Sequence, residues 1–415
     1  MSTRRVRYLL IGGGLASASA AQTLREEGAD GEIMLVGREP DPPYHRPPCS
    51  KGYLQGAEGR EDTLVCPVSW YEENDVRLLT RTSVTSLDLD ARTATLSNKE
   101  EVSFEQALIA TGANVRRLNV PGGELEQIHY LRTLGNADTI RDAVQDAEHV
   151  VLIGGSYIGC EVAASLTLLG KRCSIVMQEQ VTLERGFGQR AGRVFDELLR
   201  ANGVEIYAED ELDSFEGEGR VRTVLTRAGR RLQADAVVIG AGVAPDVRLA
   251  QSAGLRIGER GGIRCNSRLE SSVSGVYAAG DACEYESVVH DGRPLRIEHW
   301  DVAFNHGKTA ALNMLGRDTP HDVVPYFFSD LADWASLEYV GPASEWDREI
   351  VRGSLEQREF SNWYLKDGRV LAALSVGRSE DLEQAKRLIS DASILDDSQQ
   401  ALLADPAADI QALAA

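Results

Sequence analysis

Two glycine-rich turns constrain this chain more than any other feature. Tyr8-Leu-Leu-Ile-Gly-Gly-Gly-Leu-Ala-Ser and Val150-Val-Leu-Ile-Gly-Gly-Ser-Tyr-Ile-Gly each set glycines between an apolar run and a helix-forming run, with Gly12 and Gly154 142 positions apart. A strand that enters a helix through such a turn brings backbone N–H donors and the positive end of a helix dipole to one point, which suits a pyrophosphate. A single turn of this kind is weak evidence, since glycine turns also serve as plain connections. Two in the same context point to two dinucleotides in one chain, a flavin and a nicotinamide. The candidate binding residues are Gly12, Gly14, Leu15 and Ala16 in the first turn, and Gly154, Ser156, Tyr157, Ile158 and Gly159 in the second.

Around each turn the pattern is strand, helix, strand. The first repeat reads as a strand over 6–11, a helix over 15–27 and a strand over 32–36; an acid or its neighbour should then meet a ribose, and Arg38 and Glu39 stand there. An irregular stretch with five prolines follows over 38–51. The second repeat reads as strand 149–153, helix 158–169 stopped by Gly170, strand 173–177 and a helix over 189–202, closing on an apolar strand and the glycine turn at Gly242. This is the grammar of an internal duplication. From Pro325 short alternating segments (336–340, 357–365, 370–376) and a helix over 379–389 indicate a third, α+β domain. The fold class expected is α/β, with two Rossmann-like dinucleotide-binding domains. Residues 1–115 with 245–320 would hold the flavin nucleotide, 116–244 the nicotinamide nucleotide and 321–390 the C-terminal domain, leaving 391–415 as an acidic, alanine-rich loosely held helix or frayed tail.

With 44 basic against 64 acidic residues the net charge is -20, which repels nucleic acid and anionic membranes. No apolar run approaches the ~20 residues that span a bilayer, and the first strand begins too early to leave room for a signal peptide, so the expected location is the cytoplasm. The six cysteines are scattered without a Cys-x-x-Cys pair, and no metal site is expected.

The run Pro43-Tyr-His-Arg-Pro-Pro-Cys-Ser-Lys-Gly-Tyr-Leu, with Ala110-Thr-Gly, Tyr130-Leu-Arg-Thr-Leu, Tyr157-Ile-Gly-Cys-Glu, Ala278-Ala-Gly-Asp and Glu298-His-Trp, resembles the ferredoxin reductase and rubredoxin reductase group. These are relatives of apoptosis-inducing factor within the pyridine nucleotide-disulfide oxidoreductase superfamily, with glutathione reductase-like domains. The resemblance covers about residues 5–380. It implies that Arg46, Val84 (through its backbone), Thr111, Gly112, Arg132, Gly280, Asp281, His299 and Trp300 touch FAD. It also implies that Lys51 lies beside the flavin paired with Glu161, and that Lys51, Glu161 and Trp300 serve the reaction. The implied activity is hydride transfer from NADH to FAD and then single-electron transfer to a ferredoxin or rubredoxin feeding an oxygenase, in a monomer or homodimer. The residues alone also allow Lys51 in a surface loop and Glu161 in the exposed first turn of a helix.

Four departures from the group's pattern bear on function. Ser156 replaces the middle glycine of the second turn, where its hydroxyl is expected to face the pyrophosphate. Met177 stands where a ribose-binding glutamate is usual, leaving Gln178 or Glu179 to take that role; with no arginine directly after that strand, NADH is expected over NADPH. Phe328 replaces a tryptophan. Cys49 replaces a leucine, which admits an NADH oxidase or a peroxide or disulfide reductase as an alternative; a flavoprotein whose main role is binding or signalling is a third reading. Small ferredoxins are commonly acidic, so docking calls for a local basic patch, for which Arg348, Arg352, Arg358, Arg378, Lys386 and Arg387 are the candidates.

Overall fold

The computed structural model describes residues 4–413, which form two compact units. The first comprises the chain up to His45, Glu61–Asn114 and Ala244–Tyr326. Its opening strand β1 (Arg4–Ile11) runs from an exposed Arg4-Arg5 into the buried Tyr8-Leu-Leu-Ile and leads through the glycines into helix α1 (Leu15–Glu26), followed by strand β2 (Ile33–Val36). β1 is paired in parallel with β2 on one side and Glu101–Ile109 on the other; Val76–Leu79 and Val276–Ala278 extend the parallel array at its two ends. Strands buried on both faces need continuous apolar runs, and Ile33-Met-Leu-Val is wholly buried. The alanines of α1 permit a close approach by the helix Trp300–Met314: a Cβ on Gly307 would lie 2.3 Å from the Ala16 carbonyl oxygen, and Ser19 donates to the Phe304 carbonyl at 2.8 Å. This contact ties the Trp300 helix to the first glycine turn.

The second unit comprises Arg46–Arg60, Val115–Val243 and the chain from Phe327. Strand β3 (His149–Ile153), helix α2 (Tyr157–Leu168) and strand β4 (Arg172–Val176) repeat the β1-α1-β2 arrangement within a five-stranded parallel sheet, where β3 lies between β4 and Ala236–Ile239. The helix expected over 189–202 is Glu184–Ala201; it starts earlier and is broken at Gly188, whose φ of 75° only glycine adopts cheaply. Leu134–Gln145 is a helix that the sequence reading did not register, started by a reciprocal Thr133–Asn136 cap.

The C-terminal part of this unit is a five-stranded sheet in the order Tyr326–Leu331, Ala335–Val340, Arg369–Val376, Glu359–Lys366, Arg348–Ser354, with the helix Ser379–Ser390 packed on it. Residues 391–413 also pack here: Asp397–Ala404 is helical, Leu403 is fully buried, and Arg352 donates to the carbonyls of Asp405, Pro406 and Ala408. Several of the basic residues considered for a docking patch are instead matched to acids. Arg352 and Arg378 share Asp381, Lys386 meets Glu383 at 2.8 Å and Arg348 meets Asp397 at 3.8 Å.

Candidate functional site

The first glycines of the two turns are held alike. Gly12 N–H donates to Val36 O at 2.9 Å and Gly154 N–H to Val176 O at 2.8 Å; both have left-handed φ, 127° and 106°. A Cβ on Gly12 would sit 2.1 Å from Ala110 O, and one on Gly154 2.7 Å from Gly240 O. These glycines are required by the protein's own backbone, because each turn is wedged between neighbouring strand ends.

Gly14 is glycine for a different reason. Its φ of -104° suits any residue and a Cβ there would meet nothing within 4 Å, so the protein itself does not need the missing side chain. Gly14 is the N-cap of α1 and, being glycine, offers no side chain to cap it. The first turn therefore presents open space in front of helical N–H groups, the cradle that a pyrophosphate requires, and these residues fit FAD.

In the second turn the equivalent position is Ser156. Serine is a favoured N-cap, yet its hydroxyl makes no cap bond in α2 and donates to Gly240 O at 3.2 Å. The Tyr157 ring packs edge-on against Phe187 and Phe327, with centroids 5.6 and 4.8 Å away. Ile158 is exposed, and Gly159 lies under the turn, where a Cβ would be 2.1 Å from Gly154 O. Met177 is buried and its sulfur packs over Gly155, so it belongs to the core. Glu179 lies beyond it, its carboxylate ion-paired with exposed Arg185. Thus an arginine does reach the end of β4, arriving from the following helix and not from the residues directly after the strand. Gly242 has φ 83° and accepts from Arg116 N–H at 3.0 Å.

In the first unit, Arg38 bonds Asp246 at 2.9 Å and Asn114 at 2.6 Å, while Glu39 accepts from the Tyr44 hydroxyl at 2.6 Å. Thr111 donates to the Asp246 carbonyl at 2.6 Å and Gly112 O accepts from Asp246 N–H, so Asp246, which the sequence reading missed, organises this corner. Val84 opens the strand Val84–Asp88, paired with Leu96. Gly280 (φ 66°) and Asp281 form a single 3-10 turn; Gly280 N–H donates to His306 Nδ1 at 3.2 Å. His299 stands at the N-cap position of the Trp300 helix, and burial pushes its pKa down to about 4 against the pull of Asp281. Trp300 stacks on Phe304 with ring centroids 5.6 Å apart and planes 10° apart.

In the second unit, Lys51 Nζ meets Glu161 Oε1 at 2.7 Å, with the side chains 15% and 6% exposed. Glu161 is the fifth residue of α2, beyond the first turn and buried, so neither member of the pair is the solvated residue that the bland reading allows. Two hydroxyls that sequence reasoning missed complete the carboxylate's shell, Ser50 to Oε2 and Ser329 to Oε1, each at 2.5 Å. A buried ion pair persists only with such added bonds. The Phe328 ring lies 5.6 Å from Lys51 Nζ, and Arg46 donates to the carbonyl of Arg132. Cys49 is 3% exposed in the 3-10 turn Pro47–Ser50, a setting in which a thiol is usually inert.

Residues 6–307 match the family Pyridine nucleotide-disulphide oxidoreductase, and residues 326–414 match Reductase C-terminal. The chain is 34% identical over 389 residues to putidaredoxin reductase CamA of Pseudomonas putida, covering 92% of this chain and 91% of that one. The ferredoxin reductase for the CYP199A2 system from Rhodopseudomonas palustris has a crystal structure that superposes with a TM-score of 0.93 at 29% identity, covering 99% of this chain and 100% of its own. A crystal structure of the covalent putidaredoxin reductase-putidaredoxin complex matches with a TM-score of 0.89 at 33% identity, covering 95% of each chain. With its glycine turns, helices and C-terminal sheet matched over nearly its whole length, this chain belongs to the pyridine nucleotide-disulphide oxidoreductase family.

Proposed function

We propose that this protein is an FAD-dependent NADH reductase for a small iron-sulfur protein, a ferredoxin or rubredoxin, that serves an oxygenase. The observation that carries the reading is the vacant space in front of Gly14, a glycine demanded by neither backbone conformation nor packing, in a chain that carries a second, related turn. The near full-length likeness to a putidaredoxin reductase supports the choice of acceptor. FAD, when bound, takes a hydride from NADH and releases electrons one at a time.

The chain's own contribution is binding and orientation. Gly12, Gly14, Leu15 and Ala16 would hold the FAD pyrophosphate, with Arg38, Glu39, Arg46, Lys51, Thr111, Gly112, Arg132, Gly280, Asp281, His299 and Trp300 as further contacts. Lys51 would present its ammonium to the flavin, a charge that favours the electron-rich reduced form; Glu161, itself held by the Ser50 and Ser329 hydroxyls, pairs with that ammonium. Gly154, Tyr157, Ile158 and Gly159 would receive the NADH pyrophosphate, with Glu179 at its ribose. Among the described residues no helix is long and apolar enough to cross a membrane; a cytoplasmic site of action is part of the proposal.

The test is to purify the protein, record its flavin spectrum, and compare anaerobic bleaching by NADH and NADPH before titrating with a [2Fe-2S] ferredoxin and a rubredoxin. Bleaching by NADH followed by acceptor reduction is expected. A colourless protein that takes up no FAD refutes the proposal.

A further inference from the structure

The Pro43-Tyr-His-Arg-Pro-Pro run carries His45 beside the edge of a ring distant in the chain. His45 and Trp300 lie 255 positions apart in the chain, yet the indole Nε1–H of Trp300 points at His45 Nδ1 across 2.9 Å, with ring centroids 5.6 Å apart and planes at 47°. An indole nitrogen only donates, so His45 Nδ1 accepts and the imidazole is neutral, its proton on Nε2. Burial holds His45 below the ordinary histidine pKa, in keeping with that state.

Both partners are held by independent bonds. His45 N–H donates to Thr63 O at 2.8 Å, the adjoining Tyr44 forms a bridge with Leu64, and the Tyr44 hydroxyl donates to Glu39. Trp300 is the first residue of its helix, stacked on Phe304 one turn later, while Lys308 lies 4.2 Å over the Phe304 ring. Stacking restrains the tilt of the indole but lets it slide or flip, whereas a directional bond at Nε1 leaves one orientation.

We propose that His45 is a positioning residue for Trp300, accepting the indole N–H and so fixing the orientation in which Trp300 meets the flavin. The proposal rests on the reading that Trp300 lies against the flavin ring. A phenylalanine at position 45 would keep a ring but offer no acceptor, while glutamine would offer an amide oxygen at similar reach.

The experiment uses the flavoprotein labelled with 15N-tryptophan; the indole resonance absent from W300F is that of Trp300. In the wild type this proton should exchange slowly. In H45F its exchange should rise about 2- to 12-fold, the range that one neutral hydrogen bond spans, and its resonance should move, while H45Q should restore most of the protection. Equal exchange and shift in wild type and H45F overturns the proposal. Should H45F not fold, rapid exchange of the Trp300 proton in the wild type overturns it equally. The flavin absorption band and the rate of bleaching by NADH provide the second readout. If the indole responds to H45F while neither W300F nor H45F alters the flavin band or bleaching, the placement of Trp300 against the flavin fails, and the functional half of the proposal fails with it.

Discussion

Replacing Gly14 by alanine separates space that the protein needs from space that it leaves for a ligand. Gly14 has an ordinary φ of -104°, and the added methyl would meet no protein atom within 4 Å. In the apoprotein two small effects oppose each other: alanine stiffens the unfolded chain, worth about 0.4–1 kcal/mol, and is a poorer N-cap than glycine by a similar amount. Stability should therefore stay within about 0.5 kcal/mol of wild type. A dinucleotide pyrophosphate drawn against the first turn of α1 would meet the methyl directly. Forcing one extra methyl group into a packed contact costs about 1–3 kcal/mol, roughly a 5- to 150-fold rise in Kd.

Calorimetry of the apoprotein and fluorescence titration with FAD measure the two quantities separately. Gly12→Ala is the opposite control, since its φ is 127° and its Cβ would lie 2.1 Å from a backbone oxygen, so it should lower Tm in the absence of any ligand. The reasoning is refuted if Gly14→Ala binds FAD with the wild-type Kd, or if its apoprotein unfolds as early as that of Gly12→Ala.

Gly159→Ala drives a Cβ to 2.1 Å from Gly154 O, so it should destabilise by about 1–3 kcal/mol and abolish anaerobic bleaching by NADH; unchanged bleaching removes the second turn from the nicotinamide site. Glu179→Ala releases Arg185 from its carboxylate partner, and a freed guanidinium that meets a 2′-phosphate through a charge-assisted bond worth about 1.5–3 kcal/mol should raise the NADPH:NADH ratio of kcat/KM at least about tenfold. A ratio that does not move places the ribose elsewhere. Cys49→Ser should leave turnover within about twofold, as expected of a buried, inert thiol; a severe loss would revive thiol chemistry. Arg352→Ala strands buried Asp381 with Arg378 and frees the carbonyls near 405–408, so about 3–5 kcal/mol of stability should be lost and limited proteolysis should begin at the C-terminus.

The parts of the site written in local spacing are legible in the sequence, and those made by distant pairing are not. Gly12, Gly14, Gly154 and Gly159 are announced by a short motif, and the strands and helices around them follow within a few residues. Lys51 and Glu161 are 110 positions apart, and no spacing connects them; only the likeness of the surrounding motifs to a family does so. Ser50 gave no signal, because serine is common on surfaces, and Ser329 looks equally ordinary in isolation. A signal was nonetheless present for Ser329: in Tyr326–Leu331 it shares the inward phase with Phe327 and Leu331, and a polar residue in that phase needs a partner. The helix Leu134–Gln145 was missed because its cap closes with Asn136, where a glutamate or glutamine is the usual sign. The segment after 390 looked loose because acidic and alanine-rich composition says nothing about a buried arginine supplied from a strand some 50 positions earlier.

The duplication itself shows how one local solution is bent to two tasks. In both turns the first glycine is wedged against a backbone carbonyl, so the fold requires it regardless of ligand. The copies diverge at the third position, where Gly14 leaves its space open and Ser156 fills the corresponding place with a hydroxymethyl group turned onto Gly240 O. A resident cofactor gains from the closest possible approach to helical N–H groups, because each kcal/mol of added grip lengthens its stay. A reductant that must depart after every hydride gains nothing from grip beyond what fills its site, and excess ground-state affinity would hold back its release. Losing this glycine is therefore costly in the first turn and tolerable in the second; the copies differ elsewhere too, as at Ser17 and Gly159, but this position is the helix N-cap, where the residence times of their ligands would require a difference.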